Sequence, residues 1–480
     1  MNHKMVFYMI GQITKLEAVA LLLPAIVALI YSESCGWIYL LTAVSAAALG
    51  FALTTIFKKR NNVIFAKDGF VIVALSWIVL SLIGALPFTL SGEIPSYVDA
   101  VFETVSGFTT TGASILSAPQ ALSHAAMFWR SFTHWMGGMG IIVLVMAVMR
   151  TVTGRSMHIL RAEVPGPTVD KLVPKIRETA KILYLIYIAI TVLMMIVLIA
   201  FGMPVFESIV HAIGTAGTGG FGIKADSIGS YSPALQWVIA IFMLAFGINF
   251  NIYYLILRRR IGAALKSTEM WVYIGIVLAS SLVITANVFP IYKGVWESLR
   301  QAVFQVSTVI TTTGFSTTDF NLWPTLSKGI LLVLMFMGGC AGSTAGGLKV
   351  SRVVLMFKII KRELHHILHP RSVYTVKMEG KTVNDETLRG ISSYFVLYVI
   401  MFITIFLLLC LEPFSIEGNF SAAVACFNNI GPAFAEFGPM SNYAAYSDFS
   451  KILLSFAMLL GRLEIYPILF VLIPSTWTKK

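Results

Sequence analysis

Thr109-Thr110-Thr111-Gly112 and Thr311-Thr312-Thr313-Gly314 are the same four residues, and Ala-Val-Phe precedes each at the same offset (Ala100-Val101-Phe102 and Ala302-Val303-Phe304). Looser copies, Gly217-Thr218-Gly219-Gly220 and Asn428-Asn429-Ile430-Gly431, lie between and after them. Four short runs that end in glycine point to four walls of one pore. Glycine takes positive φ without penalty, so successive carbonyls can be turned the same way. A ring of such carbonyls can replace the water shell of a cation such as potassium. Thr110, Thr111, Thr218, Thr312 and Thr313 would brace the turns through their hydroxyls. The competing reading is that Gly and Thr allow close helix packing. It suits one isolated run better than four at corresponding places.

Such turns need apolar helices to hold them. Charged residues make up 12% of the 480-residue chain and hydrophobic ones 57%. Soluble domains carry about 25% charged residues, so the composition predicts an integral membrane protein. Residues 1–15 are polar and mixed, and no cleavable signal is expected. Apolar runs of spanning length fall near 16–31, 36–57, 70–90, 125–149, 182–202, 234–257, 271–290, 330–358, 392–411 and 452–474, giving ten expected transmembrane helices. The net charge of +12 does not imply nucleic acid, because the basic residues cluster between spans, at 58–60, 150–181, 258–260 and 349–389. That pattern fits cytoplasmic loops. With the N-terminus inside, every basic loop is cytoplasmic and every Gly-ended run lies outside; Lys479-Lys480 also falls inside. Glu93, Asp99, Glu103, Glu207, Asp226, Glu412, Glu417 and Glu436 accompany the runs and would draw cations to an outer mouth. Cys35, Cys340, Cys410 and Cys426 are scattered and are assigned no disulfide or metal role.

After two N-terminal spans (1–69) the chain divides into units at 70–150, 151–258, 259–361 and 362–480, the second and fourth opening with cytoplasmic loops. Each unit runs span, short amphipathic segment, Gly-ended turn, span. The short segments (97–108, 205–216, 295–310 and 420–427) are too short to cross and are expected to be re-entrant half-helices. Irregular backbone after them is tolerable at membrane depth only where protein buries it or a watery cavity meets it. Their C-terminal, partially negative ends would face a cation.

The eighth span is interrupted by a glycine-rich run, 338–347. Each Gly in a helix costs about 1 kcal/mol relative to Ala, so a loop is expected there, tight helix contact being the alternative. Arg462 falls near the middle of the tenth span, where an arginine costs about 3 kcal/mol on insertion scales and turns to the interior or to water. It is expected beneath the turns, raising the barrier to cations or steadying the loop through its carbonyls; an interhelical salt bridge is the alternative. Glu464, two residues on, points to another face and is the only deep carboxylate expected. Arg130 and His134 are expected as anchors near the outer interface. Metal binding by His365, His366 and His369 is a minor alternative to a solvated basic segment.

With Trp135-Met136-Gly137-Gly138-Met139-Gly140, the run from Gly338 through Lys349 and Gly461-Arg462-Leu463-Glu464, these turns make nearly the whole chain resemble the TrkH-type subunits of the Trk/Ktr/HKT superfamily of potassium transporters. The fold class implied is an all-α polytopic membrane protein, with four M1–P–M2 pore units in pseudo-fourfold arrangement after two extra helices. A homodimer with one pore per subunit is also implied. The implied potassium-binding filter comprises Thr110, Thr111 and Gly112; Thr218, Gly219 and Gly220; Thr312, Thr313 and Gly314; and Asn429, Ile430 and Gly431. The implied movable gate involves Gly338, Gly339, Gly342, Ser343, Thr344, Gly346 and Gly347, with Lys349 and Arg352 anchoring its cytoplasmic end and Arg462 beside it. The segment 369–381 resembles the family's contact with TrkA, a cytosolic nucleotide-binding regulatory ring. The chain itself has neither GxGxxG nor a P-loop, so nucleotide control would reside in the partner, and potassium is substrate rather than cofactor. The function implied is gated potassium uptake across a bacterial inner membrane, with both termini cytoplasmic. Because the second and fourth turns depart from the Thr-Thr-Gly pattern, rubidium is expected to be accepted and sodium to pass poorly. A symporter coupling potassium to sodium or protons is the alternative. Symporters of that kind usually carry inverted repeats, whereas these four units run the same way. An enzyme is not expected: there is no HExxH and no GxSxG.

Overall fold

A chain in lipid must satisfy its own backbone, and long apolar runs do so as helices. In the computed structural model, which describes residues 1–57, 66–140 and 176–477, nearly every regular element is a helix. Among the described residues, six stretches are long and apolar enough to cross a membrane: His3–Ile30, Gly36–Ile56, Lys67–Leu90, Ala180–Ala200, Thr268–Tyr292 and Asp385–Leu409. The inner half of the expected fourth span, the basic loops at 58–60 and 150–175, and Lys479-Lys480 lie outside the described residues.

The first stretch joins α1 (His3–Ala20) to α2 (Leu22–Ile30) and starts thirteen residues before the expected 16. Met5, Val6, Met9, Ile10 and Ile13 are buried at helical spacing, so the helix extends through the mixed segment. Lys15 does not end it, because its Nζ turns to α3 (Gly36–Ile56), donates to Thr54 Oγ1 at 2.6 Å and lies 4.1 Å over the Phe51 ring.

Four groups follow, each with a long helix, a short one and a returning one. The first is α4 (Ala66–Leu90), α5 (Tyr97–Phe108) and α6 (His124–Gly138). The second is α7 (Ile176–Ala200), α8 (Val205–Gly217), then α9 (Pro233–Phe246) and α10 (Phe250–Leu257). A short α11 (Ile261–Ala264) leads to α12 (Thr268–Tyr292), α13 (Val295–Ile310), α14 (Thr325–Phe336) and α15 (Val350–Leu368). A two-residue hairpin, β1 (Lys377–Met378) with β2 (Lys381–Thr382), precedes α16 (Asp385–Leu409), α17 (Ile416–Phe427), α18 (Asp448–Arg462), α19 (Tyr466–Leu472) and α20 (Pro474–Trp477). Serine caps start the returning helices α6, α9 and α18, with Ser123, Ser232 and Ser447 accepting from the amides of Ala126, Leu235 and Ser450. A cap of this kind is worth about 1 kcal/mol.

The returning helices differ from the continuous spans expected. Residues 234–257 bend by 90° between α9 and α10. Residues 452–474 break after Arg462, where Glu464 and Ile465 both take positive φ, so Arg462 ends a helix instead of sitting midway along one. The eighth span breaks as the glycines predict, between α14 and α15.

Candidate functional site

The four turns have the same backbone. The second residue of each is left-handed: Thr110 at φ 56°, Thr218 at 57°, Thr312 at 53° and Asn429 at 58°. Two residues on, Gly112, Gly220, Gly314 and Gly431 are left-handed again, at 79°, 72°, 92° and 95°. The glycines were legible in sequence; the threonines were not, since a β-branched residue at positive φ is a true outlier. A Cβ added to Gly112 would strike the Gly219 carbonyl, one on Gly220 the Thr313 carbonyl, one on Gly314 the Ile430 carbonyl, and one on Gly431 the Thr111 carbonyl. The contacts therefore run from the first turn to the second, third and fourth and back to the first. All four glycines line a single cavity of about 100 Å3.

The turns are braced in three ways. Thr109 and Thr111 share a hydroxyl hydrogen bond of 2.8 Å, and Thr311 and Thr313 one of 2.7 Å. The second turn has Gly219 instead of a threonine, because the His134 ring occupies the place of a side chain there. In the fourth, Asn429 Nδ2 donates to Thr111 Oγ1 at 3.0 Å and to the Met458 carbonyl at 2.9 Å.

Arg130 and His134 are not interface anchors; both are buried behind the turns. They belong to α6, which packs against α5 and α8 and so turns this face inward. Arg130 Nε donates to Glu103 Oε1 at 2.5 Å, one guanidinium nitrogen donates to the Gly222 carbonyl at 3.0 Å, and the guanidinium lies 3.6 Å over Phe221. Glu103 also accepts from Ser114 Oγ at 2.9 Å and the Ile115 amide at 3.0 Å. A buried ion pair thus fastens the chain leaving the first turn to that leaving the second. His134 Nδ1 lies 2.7 Å from the Gly107 carbonyl.

The acidic residues expected at an outer mouth are mostly tied down. Asp99 pairs with Lys451 at 2.6 Å. Glu412 accepts from Ser450 Oγ at 2.6 Å and from Ser447, and Glu436 accepts from Ser415 Oγ at 2.8 Å. Burial pushes the Glu412 carboxyl up, but the Ser447 and Ser450 hydrogen bonds together outweigh it and hold it below its usual value.

The segment 337–349 lies beneath the turns and closes on itself. The Gly338 amide donates to the Leu348 carbonyl at 2.6 Å and the Val350 amide to the Gly339 carbonyl at 3.2 Å. Lys349 is folded into the loop and does not anchor its far end: Nζ donates to the Ala345 carbonyl and to that of Gly346 at 3.2 Å. Its neighbours are the broken ends of α9 and α10. The Cys340 amide donates to the Gly247 carbonyl at 2.9 Å and the Phe250 amide to the Gly342 carbonyl at 3.0 Å. The 90° bend survives because the loop satisfies the backbone groups the bend exposes. Two bonds reach the turns: Thr218 Oγ1 donates to the Thr344 carbonyl at 3.0 Å, and the Gly346 amide to Thr312 Oγ1 at 2.6 Å. Arg462 donates to the Thr344 carbonyl at 2.8 Å and to those of Gly137 and Gly138 at 2.6 and 2.8 Å. These three acceptors are carbonyls, one of them in the loop, which is the arrangement the loop-steadying reading expects. Glu464 pairs instead with Arg352, at 2.5 Å.

The structure corrects the expectation that Glu464 is the only deep carboxylate. Glu17, Glu103 and Glu269 are also buried. Glu269 Oε1 accepts from the Ala341 and Ser351 amides at 2.7 and 3.0 Å, clamping both ends of the loop to α12. No local signal marks it, since its partners lie far along the chain. Among the described residues no group of three or more His, Cys, Asp or Glu could hold a metal ion, and the His365 ring packs at a tilt against those of His369 and Tyr374.

Long apolar helices, four half-length helices with matching Gly-ended turns and a polar interior define a polytopic membrane protein of the transport class. The chain belongs to the TrkH family, described as cation transport proteins, whose profile matches residues 39–271 and 274–478. It is 37% identical to the Trk system potassium uptake protein TrkH of Salmonella typhimurium, over 99% of this chain and 100% of that protein. It is 33% identical to the Trk system potassium uptake protein TrkG of Escherichia coli K12, over 99% and 98%. The crystal structure of the potassium transporter TrkH from Vibrio parahaemolyticus superposes with a TM-score of 0.89 at 32% identity, each chain covered completely.

Proposed function

We propose that this protein carries out gated potassium uptake through a pore formed by its four units. The single observation that carries the reading is the closed cycle of glycine and carbonyl contacts, from Gly112 to Gly219, Gly220 to Thr313, Gly314 to Ile430 and Gly431 to Thr111. Four backbones held this close around one cavity present carbonyls to a dehydrated cation. Thr110 Oγ1, buried without a hydrogen-bond partner in the structure, is a further acceptor at the inner end. The filter comprises Thr110–Gly112, Thr218–Gly220, Thr312–Gly314 and Asn429–Gly431. The gate is the segment containing Gly338, Gly339, Gly342, Ser343, Thr344, Gly346 and Gly347, held by Lys349 and Arg462.

The membrane is a bacterial inner membrane, with both termini cytoplasmic. The protein works as a homodimer, with α15, the hairpin and the 369–381 segment facing a TrkA-like nucleotide-binding ring. The test is cation flux in proteoliposomes. Potassium and rubidium should pass and sodium poorly; sodium exceeding potassium would refute the filter. Unitary current steps support a channel, whereas a fixed ratio of potassium to sodium or protons supports the symport alternative.

A further inference from the structure

Glu17 stands near the middle of the 28-residue stretch His3–Ile30 and is fully buried. Neither carboxyl oxygen has a hydrogen-bond partner in the structure. Among the described residues no ion pair compensates it. On its own helix, Lys15 is committed to Thr54 and Phe51 of α3. The only ionisable side chain of α3 is Tyr39, toward the outer end, and α2 has none. α4 carries Lys67 and Asp68 only at its cytoplasmic end, where Asp68 accepts from the Asn2 amide at 3.1 Å. On α5, Asp99 pairs with Lys451 and Glu103 with Arg130. The nearby hydroxyls are spent on their own helices: Thr14 on Ile10, Ser81 on Trp77 and Thr104 on Ala100.

An isolated carboxylate in such a place costs several kcal/mol, roughly the penalty for any unpaired buried ion. The group is therefore accommodated as the neutral acid. Its position gives that proton a consequence. Gly84 of α4 leaves a gap where a Cβ would meet Glu17 Oε1 at 3.3 Å, Thr104 Cγ2 at 3.0 Å and Phe108 Cε2 at 3.1 Å. Through this gap the carboxyl on α1 reaches the last turn of α5, and Phe108 is followed directly by Thr109-Thr110-Thr111-Gly112.

We propose that Glu17 is a proton-binding site behind the first turn, protonated while α1 stays packed on α4, and that releasing the proton loosens the support of that turn and lowers ion selectivity. An ionised Glu17 draws water into the gap at Gly84, and Thr104 and Phe108 then lose their backing. The coupling to selectivity rests on the proposed potassium flux; the proton site itself does not.

Two measurements test this on the intact protein. Infrared spectra of wild type minus Glu17→Gln should contain the carbonyl band of a protonated carboxyl at neutral pH, and the band should be lost as pH is raised into the alkaline range. Potassium-over-sodium flux in proteoliposomes should fall severalfold across the same interval in wild type, while Glu17→Gln, a fixed mimic of the neutral acid, should give a flat profile. A difference spectrum without that band would overturn the proton site. Superimposable pH profiles of the two proteins would overturn the coupling. Absence of potassium flux from the wild type at every pH would instead overturn the transport reading, and the infrared band would still decide whether Glu17 binds a proton.

Discussion

Thr218 and Arg462 donate to the same atom, the carbonyl oxygen of Thr344. One residue belongs to the second turn and the other ends α18. A hydrogen bond to a charged group is worth about 1.5–3 kcal/mol, and Arg462 makes three with carbonyls. Arg462→Ala should raise basal potassium flux about tenfold or more, since 1.4 kcal/mol is a factor of ten. Arg462→Lys should fall between, because an ammonium cannot reproduce the planar fork of guanidinium donors. The comparison is read as rubidium uptake into proteoliposomes.

Shortening the proposed gate should act in the same direction. Deletion within 342–347 leaves the Glu269 clamp at Ala341 and Ser351 in place. Such a protein should fold and show raised basal flux. A folded deletion protein with wild-type flux would argue against a gate.

Gly314→Ala tests the ring itself. Its φ of 92° and the Ile430 carbonyl both oppose a side chain. Left-handed strain alone costs about 1–2 kcal/mol, so rubidium uptake should drop about tenfold, with weakened discrimination against sodium. Gly92, also at positive φ but with no atom near a would-be Cβ, is the control: Gly92→Ala should leave selectivity intact.

The Glu103–Arg130 pair should be costly to break and cheap to replace. Losing one partner of a buried pair costs about 3–5 kcal/mol, whereas replacing both with neutral groups is often mild. Thermal unfolding in detergent should rank Arg130→Met as far less stable than Glu103→Gln/Arg130→Met. The two single changes should also alter selectivity, because the pair joins the segments leaving two turns.

Glu33, in the connection between α2 and α3, gives an acid-side dependence. Burial pushes its carboxyl up, but the His124 and Ala125 amides at the start of α6, with the His124 ring, outweigh burial and hold it below its ordinary value. A depressed carboxylate contributes stability above its unfolded pKa, about 4.3, and loses it as pH falls through the folded value. Wild type should therefore lose more thermal stability than Glu33→Gln on moving from about pH 7 to about pH 3.

The residues whose demands are local were the ones legible in sequence. Positive φ at Gly112, Gly220, Gly314 and Gly431, and the helix break at the glycines of 338–347, are backbone requirements that the residue types announce. Positive φ at Thr110, Thr218, Thr312, Glu464 and Ile465 is not announced, because these residues resist that conformation and hold it only through the surrounding structure. The bend after Phe246 is equally silent: Gly247 and Asn249 lend freedom, but the groups that satisfy the bend come from Cys340 and Gly342. At the start of a span, His134 has the place of an interface anchor. Its role as the filling for Gly219 depends on two helices meeting. Glu17 stands just inside the expected first span, where a carboxylate reads as the end of the span.

The segment 337–349 hangs from Thr218 of the second turn, Thr312 of the third and Arg462, which also grips Gly137 and Gly138 of the first unit. It cannot be displaced without releasing the inner ends of the turns above it. On the gating proposed above, open probability and permeability ratio are therefore not independent quantities. As current grows, the reversal potential should drift toward that of a less discriminating conductance.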